Sequence, residues 1–201
     1  MNLPLYKAQI TDASTGMYTV SLVDYPAVES DFLYFNENKK QMTFSIENEE
    51  QRIITGVLMR CDFPIYRITD DGYEYYIMYD KATIELMAEK WIADGFANYV
   101  NLMHNPLNYV DGVYLKELYI KDTERGINPK GFETISDGSL FATYKVLNDD
   151  VWNGIKSGEF KGFSLEGYFD VKEVQTPEEE AENALLDEII NMLNNILDKN
   201  K

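Results

Sequence analysis

Short runs of β-branched and aromatic residues, separated by turn residues, dominate the sequence and, with fewer helical segments, predict an α+β, mainly β fold. Asp71-Gly72 lies between two such runs, and this dipeptide in that setting is typical of a β-hairpin. Between Asp80 and Gly95 the apolar residues recur every three or four positions, which predicts an amphipathic helix. A second, shorter helix is predicted at 149–157, ending at Gly158. The remaining strand predictions are 17–23, 32–35, 42–46, 52–59, 99–104, 113–121, 139–146 and 163–174.

The chain divides by composition into three parts. A polar, acidic spacer at 48–51 predicts a boundary between residues 1–50, which either complete the sheet or form an arm, and a core of 51–174. In 175–201, a cap, a proline at the first helical position and an acidic first turn favour an amphipathic helix. Its apolar face contains residues 186, 189, 190, 193, 196 and 197. This face either packs on its own domain or forms a seam for a partner or a second copy.

Charge and reactive residues exclude several kinds of function. The 201 residues include 18 Lys and Arg against 35 Asp and Glu, giving a net charge of −17 that disfavours nucleic acid and anionic membrane surfaces as partners. One His and one Cys cannot build a histidine-rich metal site or an intrachain disulfide, and no acidic pair has EF-hand spacing. No cofactor or metal is expected. Without a signal-peptide pattern or a spanning apolar run, the sequence predicts a cytoplasmic protein.

Two residues are candidates for chemistry. Ser164 lies in a predicted strand between Gly162 and Gly167, where glycine allows another chain segment to approach the backbone closely. A serine needs a neighbouring base to act as a nucleophile at neutral pH, and His104 is the one imidazole in the chain. Taken separately, both residues could be structural. Four tyrosines form an alternative aromatic face for carbohydrate or peptide, or fill a strand-rich core: Tyr73, Tyr75, Tyr76 and Tyr79.

The arrangement of residues 53–172 resembles the tailed-phage prohead serine proteases, specifically the XkdF-like branch. The specific part is the run at 142–167, of the form K-V-L-x-D-x-x-W-x-x-I-K-x-G-x-x-x-G-F-S, and the supporting part is the L-M-H strand end at 102–104. The resemblance implies that His104 is the general base and Ser164 the nucleophile, on neighbouring strands. It also implies a fold similar to the herpesvirus assemblins, a closed or barrel-like antiparallel sheet flanked by helices.

The third catalytic residue is left open. A second histidine is excluded by composition, so a carboxylate, another polar group or no residue takes that place. Glu166 is the first choice, because it lies two residues from Ser164 on the same strand face, about 6.5–7 Å along it. Glu117 and Asp24 are the alternatives. No backbone group can be identified as an oxyanion hole.

A second resemblance concerns residues 19–27, T-V-S-L-V-D-Y-P-A. They are similar to an E-V-S-L-V-x-x-P-A strand that follows the nucleophile in related, differently ordered prohead proteases. The resemblance implies a circular permutation that moves this strand to the front of the chain. Thr19 stands where that motif has its glutamate.

Together these observations lead to two functional hypotheses. The first is a serine endopeptidase that cleaves scaffold and major capsid proteins, and itself, inside the assembling prohead in the cytoplasm of the bacterial host. The second is a non-catalytic capsid-assembly or scaffold protein that keeps the fold and docks, or self-associates, through the helix at 177–199. Cleavage specificity and oligomeric state stay open.

Overall fold

The computed structural model describes residues 3–24, 45–48, 51–69 and 71–174, together with 185–186, 188–190 and 192. The predicted strand at 32–35 lies outside these residues. The helices are α1 Lys81–Ala93 and α2 Asp149–Ser157, with a short 3-10 helix at Phe96–Asn98. The strands are β1 Leu5–Gln9, β2 Gly16–Val23, β3 Ser45–Asn48, β4 Ile53–Met59, β5 Ile65–Ile68, β6 Glu74–Met78, β7 Val100–Leu102, β8 Val113–Ile120, β9 Leu140–Val146, β10 Gly162–Tyr168 and β11 Asp170–Glu173.

The described strands form three open sheets, in the orders β11-β1-β6-β5, β10-β2-β7 and β3-β4-β9-β8. The mainly β, α+β class is confirmed, but the expected closed or barrel-like antiparallel sheet is wrong. A barrel requires its two end strands to pair with each other, whereas among the described residues each of these sheets has two edge strands that pair on one side only. Two ladders are also parallel and not antiparallel, β1 with β6 and β2 with β7.

The two helices predicted in the core are confirmed, and local capping explains their limits. The Asp80 side chain accepts a hydrogen bond from the Thr83 backbone N–H at 2.9 Å, satisfying a free donor of the first turn of α1. Asn148 does the same for α2, where it accepts from the N–H groups of Asp150 and Val151. Gly158 then ends α2 in the left-handed conformation, at φ 78°, which glycine adopts without steric cost.

One strand differs from the prediction. The expected strand at 163–174 is divided at Phe169 into β10 and β11, which belong to different sheets. β8 pairs with β9 and not with β7, the strand before it in the chain. The backbone at 108–110 takes the place beside β7, since the Val110 N–H donates to the Val100 carbonyl at 3.0 Å. The predicted hairpin of β5 and β6 is confirmed, with Gly72 at φ 87° in its turn.

The sheet β10-β2-β7 has one apolar and one polar face, since side chains alternate along each strand. Its apolar face packs into the main hydrophobic core against buried residues of α1, including Trp91. The core side chains of this sheet are Val20, Leu22, Val100 and Phe163, with Leu102 and Leu165 packed at their edge. The residues between them therefore lie on the opposite face, and these are polar: Thr19, Ser21, Asn101, Ser164 and Glu166.

The tail prediction is only partly covered by the described residues. Residues 185–186, 188–190 and 192 are helical, and their large apolar side chains are exposed: Leu185, Leu186, Ile189, Ile190 and Met192. Residues 175–184 and 193–201, with the other predicted seam positions, lie outside the described part of the chain. Within the described part, no helix combines the length and the apolar character needed to cross a bilayer.

Candidate active site

Strand register places a row of polar residues across the sheet β10-β2-β7. Ser164 of β10 is directly opposite Ser21 of β2, and Ser21 is level with Asn101 of β7. All three side chains are almost completely buried, Ser164 at 5% exposure and the other two at 0%. Because buried polar groups cost free energy unless they are hydrogen-bonded, such a row on three adjacent strands requires a built network.

Glu166 joins this row because it lies two residues after Ser164 and therefore on the same face of β10. Its partner across the ladder is Thr19, and the register shifts immediately afterwards, between Glu166 and Gly167. A Cβ atom at Gly167 would lie 2.4 Å from the carbonyl oxygen of Gly16, so only glycine permits this approach of β2. The expectation that the glycine next to this segment allows close backbone approach is confirmed.

His104 reaches the site from a tight turn and not, as expected, from a neighbouring strand. It follows the end of β7, and β2 separates β7 from β10. Met103 and His104 have φ values of 53° and 56°, and the Asn105 N–H donates to the Leu102 carbonyl at 3.0 Å. Two consecutive left-handed residues closed by such a bond are the pattern of a type I′ turn. For residues other than glycine each left-handed conformation costs about 1–3 kcal/mol, so this turn is held by its surroundings.

The imidazole of His104 contacts the polar row through its Nδ1 atom. Nδ1 lies 3.2 Å from Glu166 Oε1 and 3.2 Å from Ser21 Oγ. Glu166 Oε1 also accepts hydrogen bonds from Ser21 Oγ at 2.6 Å and from Asn101 Nδ2 at 2.8 Å. Ser21 Oγ is also within hydrogen-bond distance of Asn101 Oδ1. Because a hydroxyl has one proton, Ser21 donates to either Asn101 Oδ1 or Glu166 Oε1 at a given time. Glu166 is thus the centre at which three side chains converge.

The environment of Glu166 favours its ionised form. Burial acts to raise the pKa of this carboxyl group, but hydrogen bonds from Ser21, Asn101 and His104, with the charge of His104, outweigh burial and lower the pKa below its ordinary value. A carboxylate next to Nδ1 favours the tautomer with its proton on Nδ1. That tautomer leaves Nε2 of His104 with a free lone pair, which is the form a general base needs.

Ser164 and His104 line the same cavity, which has a volume of about 540 Å³. Glu166 also contributes to its wall, whereas Ser21 and Asn101 do not. In the described part of the chain, the Ser164 hydroxyl makes no hydrogen bond to another side chain. A buried hydroxyl that lines the same cavity as an imidazole, with no hydrogen bond to a described side chain, is available to react with a molecule bound there.

The other predicted carboxylates lie elsewhere. Glu117 is on β8 in the sheet β3-β4-β9-β8, opposite Thr143, and pairs with Lys116. Asp24 follows the end of β2 and makes no contact with His104 in the described structure. The described residues also contain no cluster of His, Cys, Asp and Glu suited to a metal ion.

Sequence reasoning missed Ser21 and Asn101. Each is a polar residue between two apolar residues of a strand, as in Val20-Ser21-Leu22 and Val100-Asn101-Leu102. Ser164 and Glu166 follow the same alternation on β10. The shared pattern could have indicated that the three strands present polar residues to one face, but their adjacency required knowledge of the strand order.

Comparison with known proteins adds a family assignment. Residues 41–173 match a family model described as "Putative phage serine protease XkdF". His104, Ser164 and Glu166 fall within the match, while β2 with Ser21 precedes it. Neither the curated proteins nor the solved structures contain a protein that matches the chain. Since the matched region covers well over half of its length, the chain belongs to the XkdF family of phage serine proteases.

Proposed function

We propose that this protein is a serine endopeptidase in which Ser164 is the nucleophile, His104 the general base and Glu166 the residue that orients the base. The observation that carries the proposal is the 3.2 Å contact between Glu166 Oε1 and His104 Nδ1 at the wall of a cavity that Ser164 also lines. Family membership supports a serine protease at the level of reaction class. The roles of Ser164, His104 and Glu166 are part of the proposal.

In this mechanism His104 Nε2 accepts the hydroxyl proton while Ser164 Oγ attacks the carbonyl carbon of a peptide bond. The proton then passes from His104 to the departing amine, which leaves an acyl-enzyme. Water attacks the acyl group with the same histidine as base, and the product acid departs. Glu166 stays ionised throughout and stabilises the imidazolium that forms in each half-reaction.

Ser21 is the competing hydroxyl, since its Oγ lies 3.2 Å from His104 Nδ1. Three observations favour Ser164. Ser21 is fully buried, its side chain is committed to Glu166 and Asn101, and it does not line the cavity. A peptide carbonyl reaching Ser21 would have to displace those buried bonds. We therefore assign Ser21 and Asn101 to holding Glu166 in place.

The position of Glu166 also fits the proposed circular permutation. Thr19, which stands where the related motif has glutamate, is the cross-strand partner of Glu166. A carboxylate moved from one member of this pair to the other stays on the same face of the sheet and within reach of the same imidazole. Antiparallel pairing of β2 with β10 is likewise the arrangement of two strands that would follow each other in a differently ordered chain.

We further propose that the substrates are the scaffold and major capsid proteins of a phage prohead, together with the enzyme's own tail. The phage origin of the family supports this setting, and the site of action would be the assembling prohead in the cytoplasm of the host. Nucleic acid and membrane are not proposed as partners, since the net charge of −17 repels anionic surfaces.

Incubation of the purified full-length protein tests the proposal. Wild type should shorten with time, with loss of the tail after about Val174, and should cleave added scaffold or capsid protein. Ser164→Ala should do neither. The matched control is Ser157→Ala, which removes a hydroxyl bonded only to the Gly154 carbonyl on α2 and should cleave like wild type. Equal shortening of wild type and Ser164→Ala, or no cleavage of any capsid substrate by wild type, would contradict the proposal.

One observation supports the second candidate, a non-catalytic assembly protein. The large apolar side chains of the described tail residues are exposed, as on a helix that docks on a partner: Leu185, Leu186, Ile189, Ile190 and Met192. Capsid assembly with Ser164→Ala in place of wild type separates the two. If proheads assemble and mature normally with this variant, the assembly role stands alone.

A further inference from the structure

The cavity has a second wall, formed by the hairpin of β5 and β6. Arg67 is the cross-strand partner of Tyr75, and Ile77 lies two residues farther along β6 on the same face. All three residues line the same cavity as Ser164 and Glu166. This wall therefore offers a substrate one cation, one aromatic ring and one aliphatic side chain.

The charge of Arg67 has no counter-ion in the described structure. Its Nη1 donates to the Tyr66 carbonyl at 3.1 Å, and its guanidinium group also interacts with the hydroxyl of Tyr79. Both partners are neutral. Ion pairs do form elsewhere, for example between Arg52 and Asp149 at 2.6 Å. Arg67 is half-buried and lines the cavity, and its partners among the described residues are neutral although the chain has 35 acidic residues.

The acidic side chain that lines the cavity forms no ion pair with Arg67 in the described structure. Glu166 lines the same cavity, but its Oε1 atom already accepts from Ser21 and Asn101 and contacts His104. Because a partly desolvated cation without a partner is costly, a ligand that brings a carboxylate into the cavity gains an interaction that water supplies less well. The guanidinium group holds a carboxylate through two parallel N–H donors.

We propose that Arg67, with Tyr75 and Ile77, forms a subsite that binds an acidic side chain of the substrate peptide. This proposal rests on the proposed protease function and deepens it, because it assigns a substrate class to the same cavity. Tyr75 and Ile77 contact the methylene groups of the bound side chain, and Arg67 binds its carboxylate. Glutamate fits this arrangement better than glutamine, which has the same shape without the charge.

Binding to an inactive enzyme tests the subsite without requiring catalysis. The full-length Ser164→Ala protein is titrated with two peptide pools of equal length, with random flanking residues and either Glu or Gln fixed at the centre. We expect the Glu pool to bind at least about ten-fold more tightly, since charge-assisted hydrogen bonds are about twice as strong as neutral ones. Adding Arg67→Gln should abolish the preference, and Arg67→Lys should retain part of it.

Arg125→Gln is the matched control, because Arg125 is exposed and does not line the cavity. It should keep the full preference for Glu. Equal binding of the two pools, or a preference that survives Arg67→Gln in a protein with wild-type circular dichroism, would overturn the subsite. A Glu preference in binding without any cleavage by wild type would instead count against the protease function alone. Cleavage without the preference would count against the subsite alone.

Discussion

Ser21→Ala removes one of the three contacts that converge on Glu166. Ser21 Oγ lies 2.6 Å from Glu166 Oε1, and its hydrogen bond is the strongest of the contributions that lower the pKa of this carboxyl group. Removing a donor to the ionised form favours the protonated form. We therefore expect the pKa of Glu166 to rise toward its ordinary value in Ser21→Ala.

The energetic magnitude follows from the same contact. A hydrogen bond to a charged group contributes about 1.5–3 kcal/mol to stability, against about 0.5–1.5 kcal/mol for a neutral one. The Glu166 side chain is only 18% exposed, so solvent screens the interaction little. A group with a lowered pKa in the folded state stabilises the protein above its unfolded pKa, and this stabilisation is lost as the pH falls through the folded pKa. Ser21→Ala should therefore cost more at pH 7 than in acid.

The assay is a carbon-detected NMR titration of the Glu166 carboxyl group in wild type and Ser21→Ala, with urea unfolding followed by tryptophan fluorescence. Thr143→Val is the control, because it removes a buried neutral hydrogen bond to Thr55 at 2.8 Å in another sheet. It should destabilise the fold without moving the Glu166 titration. An unchanged Glu166 titration in Ser21→Ala would show that the Ser21 hydrogen bond does not stabilise the ionised Glu166 carboxylate.

Two further changes test the geometry around this network. Glu166→Gln keeps the shape of the side chain but removes the charge beside His104 Nδ1. With a capsid-protein substrate, kcat/KM should therefore fall by about 10²–10⁴-fold while the fold stays intact. Activity near the wild-type level would remove Glu166 from the mechanism. Gly167→Ala should destabilise the protein by more than Gly126→Ala in urea unfolding, because a Cβ at Gly167 meets the Gly16 carbonyl at 2.4 Å, whereas Ala at Gly126 has no close neighbour and costs only the strain of its left-handed backbone at φ 77°. Equal losses would contradict the close approach of β2 to β10.

Local signals predicted the helices and the hairpin of β5 and β6. Asp80 caps the start of α1 and Gly158 ends α2, as their residue types favour, and each acts within one helical turn. Strand order could not be predicted in this way. Nothing near β2 in the sequence indicates that it lies between β10 and β7, since those partners are more than 70 residues away along the chain. The open, mixed sheets follow from that long-range pairing.

The same distinction applies to the candidate site. The placement of Glu166 on the same strand face as Ser164 could be predicted, because residues two apart in a strand point to the same side. The approach of His104 could not be anticipated, because Met103 and His104 lack the Asn or Gly that usually indicates a type I′ turn. Ser21 and Asn101 were missed because their role depends on three strands being adjacent.

Covalent labelling tests directly whether Ser164 is a nucleophile activated by His104. A serine-directed fluorophosphonate is incubated with the full-length protein, and the modified residue is located by peptide mass spectrometry. We expect a single adduct on Ser164, with a rate that falls sharply in His104→Ala. An adduct on Ser21, no adduct at all, or labelling of Ser164 at an undiminished rate in His104→Ala would contradict it.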